Sequence, residues 1–267
     1  MRFYIRFSIL VIAFLFYGTT LVNAQENIFA GYKITEFSFH GHDAKIVFPE
    51  KSNHQRFWIW RARFWGHEPQ TDKALLAAGF HVVYVDVAGL YGNDKAVHLW
   101  NQFYKYLRRK YKLNRKTVLE GMSRGGLIVY NWASRNTDKV ACIYADAPVC
   151  DIKSWPGGLY NGKGSPADWQ ACLKAYHLNS KSVLNFMDIP LNNAVKVAKA
   201  NIPVLHVCGL ADEVVPYTEN TKILSKNFRK AGGNIQLILK EGVGHHPHSL
   251  KDPEPIVDFI LQNTIKK

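Results

Sequence analysis

The chain has 267 residues, and 34 Lys and Arg against 21 Asp and Glu give it a formal net charge of +13. Hydrophobic residues make up 47% and charged residues 21%, which are ordinary globular values and exclude a disordered or collagen-like chain. Four cysteines are too few for a disulfide-built scaffold, and the length suits one large α/β domain.

The first 24 residues have the pattern of a secretory signal peptide. Arg2 and Arg6 precede an uncharged apolar run, and a small-residue cleavage pattern ends at Ala24. The run is shorter than the about 20 residues of a membrane span. We therefore expect a cleaved leader, export to the periplasm or medium, no stable membrane insertion and a mature domain of residues 25–267. A retained anchor is the alternative.

Short β-rich runs alternate with helical patterns along the rest of the chain. Eight strands are predicted, at Tyr32–His40, Ala44–Phe48, Arg56–Phe64, His81–Val87, Thr117–Met122, Val140–Ala145, Pro203–Cys208 and Ile235–Lys240. Helices are predicted after the capping residue Asn93 and over Gly125–Ser134, Thr218–Lys230 and Pro253–Ile265. The first two strands lie close enough for an antiparallel hairpin. The whole pattern predicts a mainly parallel α/β sheet with an antiparallel start and helices on both faces.

One segment breaks this alternation, at about residues 150–200. It is too long for a simple crossover between two strands, so we predict an inserted cap over the carboxyl ends of the strands, where open α/β sheets place their ligands. Cys150 and Cys172 flank this cap. A disulfide between them and a pair of free thiols are both compatible with the sequence.

The strongest chemical signal is a G-x-S-x-G motif centred on Ser123. It directly follows the strand that starts at Thr117 and opens a helix, so its two glycines permit a sharp turn with the serine hydroxyl exposed at the apex. This context separates a nucleophile elbow from a chance string, and we predict that Ser123 is a catalytic nucleophile. A merely structural Gly-rich turn is the alternative.

A serine nucleophile needs a base, and a histidine-rich loop follows the last strand. His245 comes first after the glycine of this loop and is the predicted base, with His246 as the alternative. His245, His246 and His248 could also form a zinc site. Sequence neighbours on a Pro-containing loop seldom converge on one ion, and no carboxylate or Cys pattern completes the set. We therefore expect no metal and no organic cofactor.

An acid must orient the histidine. Asp212 lies just past a predicted strand and gives the chain order Ser123, Asp212, His245, which is the order that accompanies the elbow motif. Asp146 also ends a strand and is the alternative acid.

Two backbone N–H groups should hold the oxyanion. Arg124, directly after the nucleophile, supplies one. We assign the other to Arg63, in the loop after the third strand, where the His-Gly-Gly-Gly pattern of lipases is absent.

With these residues in place, the mature chain resembles the α/β-hydrolase superfamily. The stretches Trp60–Phe64 and Gly244–His248 resemble an exported bacterial esterase branch that is associated with polysaccharide breakdown. Because this superfamily hosts many functions, the resemblance implies the fold and the triad but not the substrate.

Arginines near the mouth of the predicted site favour an acidic substrate. Arg61, Arg63 and Arg124 could pair bidentately with a carboxylate, and Trp65, beyond the strand end, could stack on a sugar. An internal ion pair of Arg61 with Glu120 or Asp146 is the alternative. The excess of basic residues also favours anionic partners, with a solvated basic surface as the alternative.

The sequence therefore predicts an exported serine esterase that removes O-acetyl or uronate methyl groups from an anionic polysaccharide or oligosaccharide. A small serine aminopeptidase is the first alternative, and a non-catalytic carbohydrate-binding protein of the same fold is the second. No nucleic-acid-binding module is visible. The sequence does not indicate the oligomeric state.

Overall fold

A computed structural model describes residues 27–265, so the predicted signal peptide lies outside the described residues. The described chain contains a nine-stranded sheet in the order β1-β2-β3-β5-β4-β6-β7-β8-β9. The strands are β1 Ile28–Phe29, β2 Tyr32–Phe39, β3 His42–Val47, β4 Trp58–Arg61, β5 His81–Val85, β6 Thr117–Met122, β7 Val140–Asp146, β8 Val204–Gly209 and β9 Ile235–Lys240. All eight predicted strands are present, and the two-residue β1 was not predicted.

The sheet is antiparallel at one side and parallel at the other. The pairs β1–β2, β2–β3 and β3–β5 are antiparallel. The remaining pairs, β5–β4, β4–β6, β6–β7, β7–β8 and β8–β9, are parallel. This confirms the predicted α/β fold with an antiparallel start. The carboxyl ends of β4, β6, β7 and β8 therefore meet at one edge.

Seven α-helices cover the sheet within the described residues. They are α1 Gln70–Ala77, α2 Asp94–Tyr111, α3 Gly125–Ala133, α4 Pro166–Tyr176, α5 Pro190–Lys199, α6 Thr221–Lys230 and α7 Glu254–Gln262. Asn93 caps α2 as expected, because its side chain accepts a hydrogen bond from the Ala96 N–H at 3.0 Å. The helices α1, α4 and α5 were not predicted, and the last two lie in the segment predicted as a cap. No helix within residues 27–265 is both long and apolar enough to span a membrane.

The larger core lies between the sheet and the face covered by α2, α3, α5 and α6. Trp58 and Trp60 both point into it, as strand alternation predicts. The Trp60 ring stacks on Trp100 of α2 with 3.9 Å between centroids, and Trp132 of α3 meets it edge to face. These rings fix α2 and α3 against β4, and α3 begins at the predicted elbow.

The opposite face of the sheet is covered by α1 and α7, whose buried residues include Leu75, Ile256 and Phe259. Ile59 of β4 points to this side, and so does Arg61 two residues later. The side chain of Arg61 is therefore directed into a core.

The predicted insertion lies between β7 and β8. It contains α4, a short 3₁₀ turn at Ser182–Asn185 and α5. The α5 helix packs against α3 and α6 on the sheet, so it acts as the crossover helix between β7 and β8. The part of the insertion that extends beyond the sheet is therefore residues 150–189. The α4 helix contacts the 3₁₀ turn Ala88–Leu90, which follows β5 near the catalytic edge.

Candidate active site

Ser123 occupies a tight strand-to-helix turn between β6 and α3. Its φ is +48°, in the left-handed region that non-glycine residues seldom adopt. Its carbonyl accepts hydrogen bonds from Gly126 and Val149 N–H at 3.0 and 2.9 Å. A Cβ at Gly126 would lie 2.6 Å from Cβ of Pro148, so only glycine allows α3 to start this close to the chain leaving β7. The local geometry is that of a nucleophile elbow.

The structure brings the three predicted triad residues together. The Ser123 hydroxyl lies 3.0 Å from Nε2 of His245, and Nδ1 of the same ring lies 2.7 Å from Oδ2 of Asp212. The carboxylate neighbour places the proton on Nδ1, so Nε2 accepts the hydrogen bond from the serine. This chain of contacts lets His245 remove the Ser123 proton while Asp212 stabilises the resulting imidazolium.

Asp212 is fixed in turn by its own loop. Its Oδ1 accepts hydrogen bonds from the N–H groups of Val214 and Val215, each at 2.8 Å. The side chain is 1% exposed, so it holds a single orientation towards His245. The alternative base, His246, has no such carboxylate partner among the described residues.

The predicted oxyanion donors lie beside the elbow. A Cβ on Gly125 would lie 3.4 Å from Cβ and 3.8 Å from the backbone N of Arg63. The turn after β4 is thereby placed against the start of α3, with the Arg63 amide near the amide of Arg124. Within residues 27–265, neither amide donates to a backbone carbonyl. Two N–H groups at this position match the requirement for an oxyanion hole.

Asp146, the alternative acid, serves a different histidine. Its Oδ1 lies 2.6 Å from Nδ1 of His248, and its Oδ2 accepts a hydrogen bond from Ser249 N–H at 2.7 Å. His248 and Asp146 are each only 2% exposed. Asp146 therefore anchors the loop that carries His245 and does not contact that ring.

The three histidines of this loop converge, contrary to the expectation from their sequence spacing. Ligand-capable atoms of His245, His246 and His248 all lie within 4.8 Å of one another. The loop folds back on itself after β9, and Asp146 holds its far end. The argument that neighbouring histidines on a Pro-containing loop do not converge is wrong for this chain.

Arg61 does not reach the substrate, and the prediction that it contributes to binding is wrong. It is 1% exposed, and its Nη1 lies 2.6 Å from Asp72 of α1 and 3.1 Å from Glu120 of β6. Its Nε donates to the Phe64 carbonyl at 3.1 Å. Arg61 therefore pairs with Glu120, as one of the sequence alternatives had it, and with Asp72 instead of Asp146, and it also holds the loop after β4 that carries Arg63.

Glu120 and Asp72 crowd this arginine with two carboxyl groups. Burial raises the pKa of Glu120 well above its ordinary value, with Arg61 opposing the shift and Asp72 adding to it. One buried arginine thus faces two buried carboxyl groups, and burial favours the neutral form of Glu120.

Arg63 and Trp65 lie at the predicted mouth of the site. The Trp65 ring packs on Phe29 and Tyr84, with centroids 4.9 and 5.7 Å apart, and it lines a cavity of about 300 Å³ beside the loop histidines. The Arg63 guanidinium lies 4.9 Å from the Phe64 ring centroid, and its Nε is buried without a hydrogen-bond partner among the described residues. Trp65 therefore lies at the cavity as predicted, whereas Arg63 is not among the residues that line it.

Arg124 connects the elbow to the cap through its side chain, a role that the sequence analysis missed. Its Nη1 lies 3.1 Å from Asp168 of α4, and its guanidinium lies over the rings of Trp155 and Tyr91 at 5.0 and 5.7 Å. Asp168 also accepts hydrogen bonds from Tyr91 and Ser165 at 2.6 and 2.8 Å. Three hydrogen bonds therefore hold this carboxylate in place, and the wall of the site on the cap side is built from fixed groups.

The four cysteines are free thiols, all of them buried. The disulfide between Cys150 and Cys172 that the spacing left open is not formed. The cap is held by hydrogen bonds instead: Glu219 accepts from the Ser154 hydroxyl and from the N–H groups of Asn161 and Gly162.

Comparison with protein families gives a match to the prolyl oligopeptidase family, Peptidase S9, over residues 89–266. This span is about two-thirds of the chain and includes Ser123, Asp212 and His245. No curated protein matches the chain.

Solved structures with the same fold include peptidases and an esterase. The acylaminoacyl peptidase of Pyrococcus horikoshii aligns with a TM-score of 0.65 and 14% identity, over 88% of this chain and 43% of that one. A puromycin-hydrolysing peptidase of Mycobacterium tuberculosis aligns with a TM-score of 0.65 and 14% identity, over 88% and 40%. Est1E from Butyrivibrio proteoclasticus aligns with a TM-score of 0.62 and 21% identity, over 87% and 99%.

The chain thus spans about two-fifths of the length of these peptidases and nearly the whole of Est1E. At these identities the neighbours establish the fold. With the family match, they place the protein among the serine hydrolases of the α/β-hydrolase superfamily.

Proposed function

The chain belongs to the prolyl oligopeptidase family, and on this premise we propose that it is a serine peptidase that cleaves short or N-acylated peptides. The observation that carries the proposal is that the family match contains the complete triad, from the elbow at Ser123 to the base at His245. This reverses the order of the two enzyme functions predicted from the sequence, where the carbohydrate esterase came first and the aminopeptidase second.

The proposed reaction follows from the geometry of the triad. Ser123 attacks the acyl carbonyl as Nε2 of His245 takes its proton, and the N–H groups of Arg63 and Arg124 hold the oxyanion. The imidazolium then gives the proton to the leaving amine, the acyl-enzyme forms, and water repeats the sequence to release the acid. An ester follows the same steps with an alcohol as the leaving group.

The acidic groups near the elbow bear on the kind of peptide. Asp168, which faces Arg124, accepts hydrogen bonds from Arg124, Tyr91 and Ser165. Its charge is already compensated by Arg124, so it attracts a free peptide amino terminus less than an unpaired carboxylate would, whereas the Arg124 guanidinium has donors left for a carboxylate or carbonyl. We therefore favour peptides with a blocked amino terminus or an acidic side chain over peptides with a free amino terminus.

A second candidate is an esterase that acts on an anionic saccharide. Two observations favour it: the alignment covers 99% of Est1E, and Trp65, the ring predicted to stack on a sugar, lines a cavity together with His245. This candidate would be an exported enzyme that acts on an anionic poly- or oligosaccharide ester. The leader pattern supports export, and the excess of basic residues supports an anionic substrate.

Chromogenic substrates distinguish the two candidates. The purified protein is assayed with N-acetyl-aminoacyl and free aminoacyl p-nitroanilides, with p-nitrophenyl acetate, and for acetate or methanol release from pectic, xylan and algal polysaccharides. A peptidase cleaves the anilides, the N-acetylated ones faster, and Ser123→Ala loses this activity. Cleavage of esters with no cleavage of anilides or peptides would reject the peptidase and leave the esterase. No Ser123-dependent cleavage of any substrate would reject both.

A further inference from the structure

The histidine cluster beside Ser123 has a feature that the triad does not explain. The triad uses His245 alone, yet the rings of His246 and His248 lie 5.1 and 4.7 Å from it and 4.8 Å from each other. All three border the same cavity, which Phe64, Trp65 and His67 also line. Three imidazoles around one cavity form a ligand set for a transition-metal ion.

Carboxylates orient two of these rings in the way that metal-binding histidines are oriented. Asp212 engages Nδ1 of His245, and Asp146 engages Nδ1 of His248. A carboxylate at one ring nitrogen keeps the proton there and leaves the other nitrogen with a lone pair, and such pairs are typical neighbours of protein-bound zinc. Nε2 of His248 has no hydrogen-bond partner within residues 27–265, so that lone pair is free.

His246 completes the set from the solvent side. It is the exposed member of the three, so its side chain can turn towards the cavity and an ion can enter past it.

We propose that His245, His246 and His248 bind a divalent transition-metal ion of the Zn²⁺ class, and that the bound ion switches the hydrolase off. The ion takes the Nε2 lone pair of His245, which is the same lone pair that must accept the proton of Ser123. Binding and catalysis are therefore mutually exclusive at this ring. The fourth position of the ion faces the cavity and is filled by water.

The distances allow this with small movements. Zn–N distances of about 2.0–2.1 Å in a tetrahedron put ligand nitrogens about 3.4 Å apart, and the three imidazoles already offer atoms within 4.8 Å. The exposed ring of His246 makes the larger part of the movement that brings the three nitrogens together, because His248 is buried and held by Asp146. The proposal depends on the triad geometry and not on whether the substrate is a peptide or a saccharide ester.

Direct binding is the first test. The purified wild-type protein is titrated with Co²⁺, whose tetrahedral complexes absorb visible light, and with Zn²⁺ against a chromogenic chelator. We expect one equivalent of metal per chain. His246→Ala should weaken binding at least about tenfold, as loss of a ligand does, while His54→Gln, which changes an exposed histidine in a distant loop, should bind as the wild type does. Equal binding by wild type and His246→Ala would overturn the proposal.

Inhibition is the second test, with whichever chromogenic substrate is cleaved. Zn²⁺ should inhibit the wild type and the His54→Gln variant reversibly, with activity restored by EDTA. The His246→Ala variant keeps the triad, and half inhibition of its own metal-free activity should need at least about tenfold more Zn²⁺ than half inhibition of the wild type. Metal binding without inhibition would overturn the switch. Because binding is read without any substrate, a wrong assignment of substrate leaves the first test unaffected.

Discussion

The Asp146 carboxylate lies 2.6 Å from Nδ1 of His248, whereas the base His245 takes its acid from Asp212 at 2.7 Å. Two carboxylate–histidine pairs therefore lie side by side at the ends of β7 and β8. Only the pair formed by Asp212 and His245 continues to a nucleophile, because Nε2 of His245 contacts the Ser123 hydroxyl. The second pair fixes the loop that carries the first.

Substitutions of the two acids should separate these roles. Asp212→Asn should lower kcat by roughly ten-thousand-fold, because an amide favours the wrong imidazole tautomer. Asp146→Asn should reduce kcat about tenfold at most, the equivalent of one weakened hydrogen bond, and should lower Tm by loosening the loop. Steady-state kinetics and thermal unfolding of both variants check this. The reverse ranking of kcat would make Asp146 the catalytic acid.

Arg61 should matter for folding and not for substrate charge. Arg61→Met leaves Asp72 and Glu120 without their cation in a buried site, and loss of one partner of a buried ion pair costs about 3–5 kcal/mol. Urea unfolding should show this loss. The triple variant Arg61→Met, Asp72→Asn, Glu120→Gln should recover a large part of it, because it leaves no unpaired charge.

A different result would return Arg61 to the substrate site. If Arg61→Met unfolded at the urea concentration of the wild type and raised KM for acidic substrates alone, the buried ion pair would not be its role. The matched control is Arg63→Met in the same loop, which should leave the free energy of unfolding nearly unchanged because Arg63 has no carboxylate partner among the described residues.

His206 should make the fold sensitive to acid. It is fully buried between the Tyr130 hydroxyl, which lies 2.5 Å from Nε2, and the Thr221 hydroxyl, which lies 2.8 Å from Nδ1. Burial lowers the pKa of His206 to about 3. Since the unfolded chain binds this proton near pH 6.5, the stabilisation by neutral His206 is complete above pH 6.5 and is lost as the pH falls towards 3.

The measurement is the free energy of unfolding in urea from pH 7.5 to 4.5. Below pH 6.5, His206 adds a slope of up to about 1.4 kcal/mol per pH unit, so the difference between wild type and His206→Gln should shrink steadily in that range. His54→Gln, at an exposed position, should run parallel to the wild type. If the free energy of unfolding of His206→Gln also ran parallel to that of the wild type across this pH range, burial of His206 would not govern the acid sensitivity.

Local patterns were sufficient to predict much of this fold and site. The strands come from β-rich runs bounded by turn residues, and the parallel order brings their carboxyl ends together, so Ser123, Asp212 and His245 could be placed at one edge from sequence alone. The elbow was recognisable because its glycines, the strand before it and the helix after it are adjacent in the chain.

Contacts between distant segments could not be predicted in this way. Asp72, the main partner of Arg61, lies on α1, a helix of eight residues with no strong cap or periodicity to reveal it. Asp146 and His248 are 102 residues apart, and their pairing depends on how the loop after β9 folds back. Such pairings follow from tertiary packing, which composition and spacing do not determine.

Arg63 should set the preference for substrate charge. Its side chain is half-buried, its guanidinium lies beside the Phe64 ring, and its Cβ lies against Gly125 at the start of α3. Hydrogen bonds to a charged group contribute about 1.5–3 kcal/mol, so Arg63→Ala should lower kcat/KM roughly ten- to a hundred-fold on an anionic substrate. A neutral substrate of equal size should be nearly unaffected, because the backbone N–H of residue 63 survives the change.

The comparison uses p-nitrophenyl hemisuccinate against p-nitrophenyl butyrate, which are similar in size and differ in charge. Arg63→Lys should recover only part of the loss on the hemisuccinate, since an ammonium group cannot form the bidentate fork of a guanidinium. Added salt should weaken turnover of the hemisuccinate more than that of the butyrate. Equal losses on both esters would mean that Arg63 shapes the oxyanion loop and does not read substrate charge. The preference for acidic substrates would then have to come from Arg124, whose guanidinium is held by Asp168 and Trp155 at the opposite wall of the site.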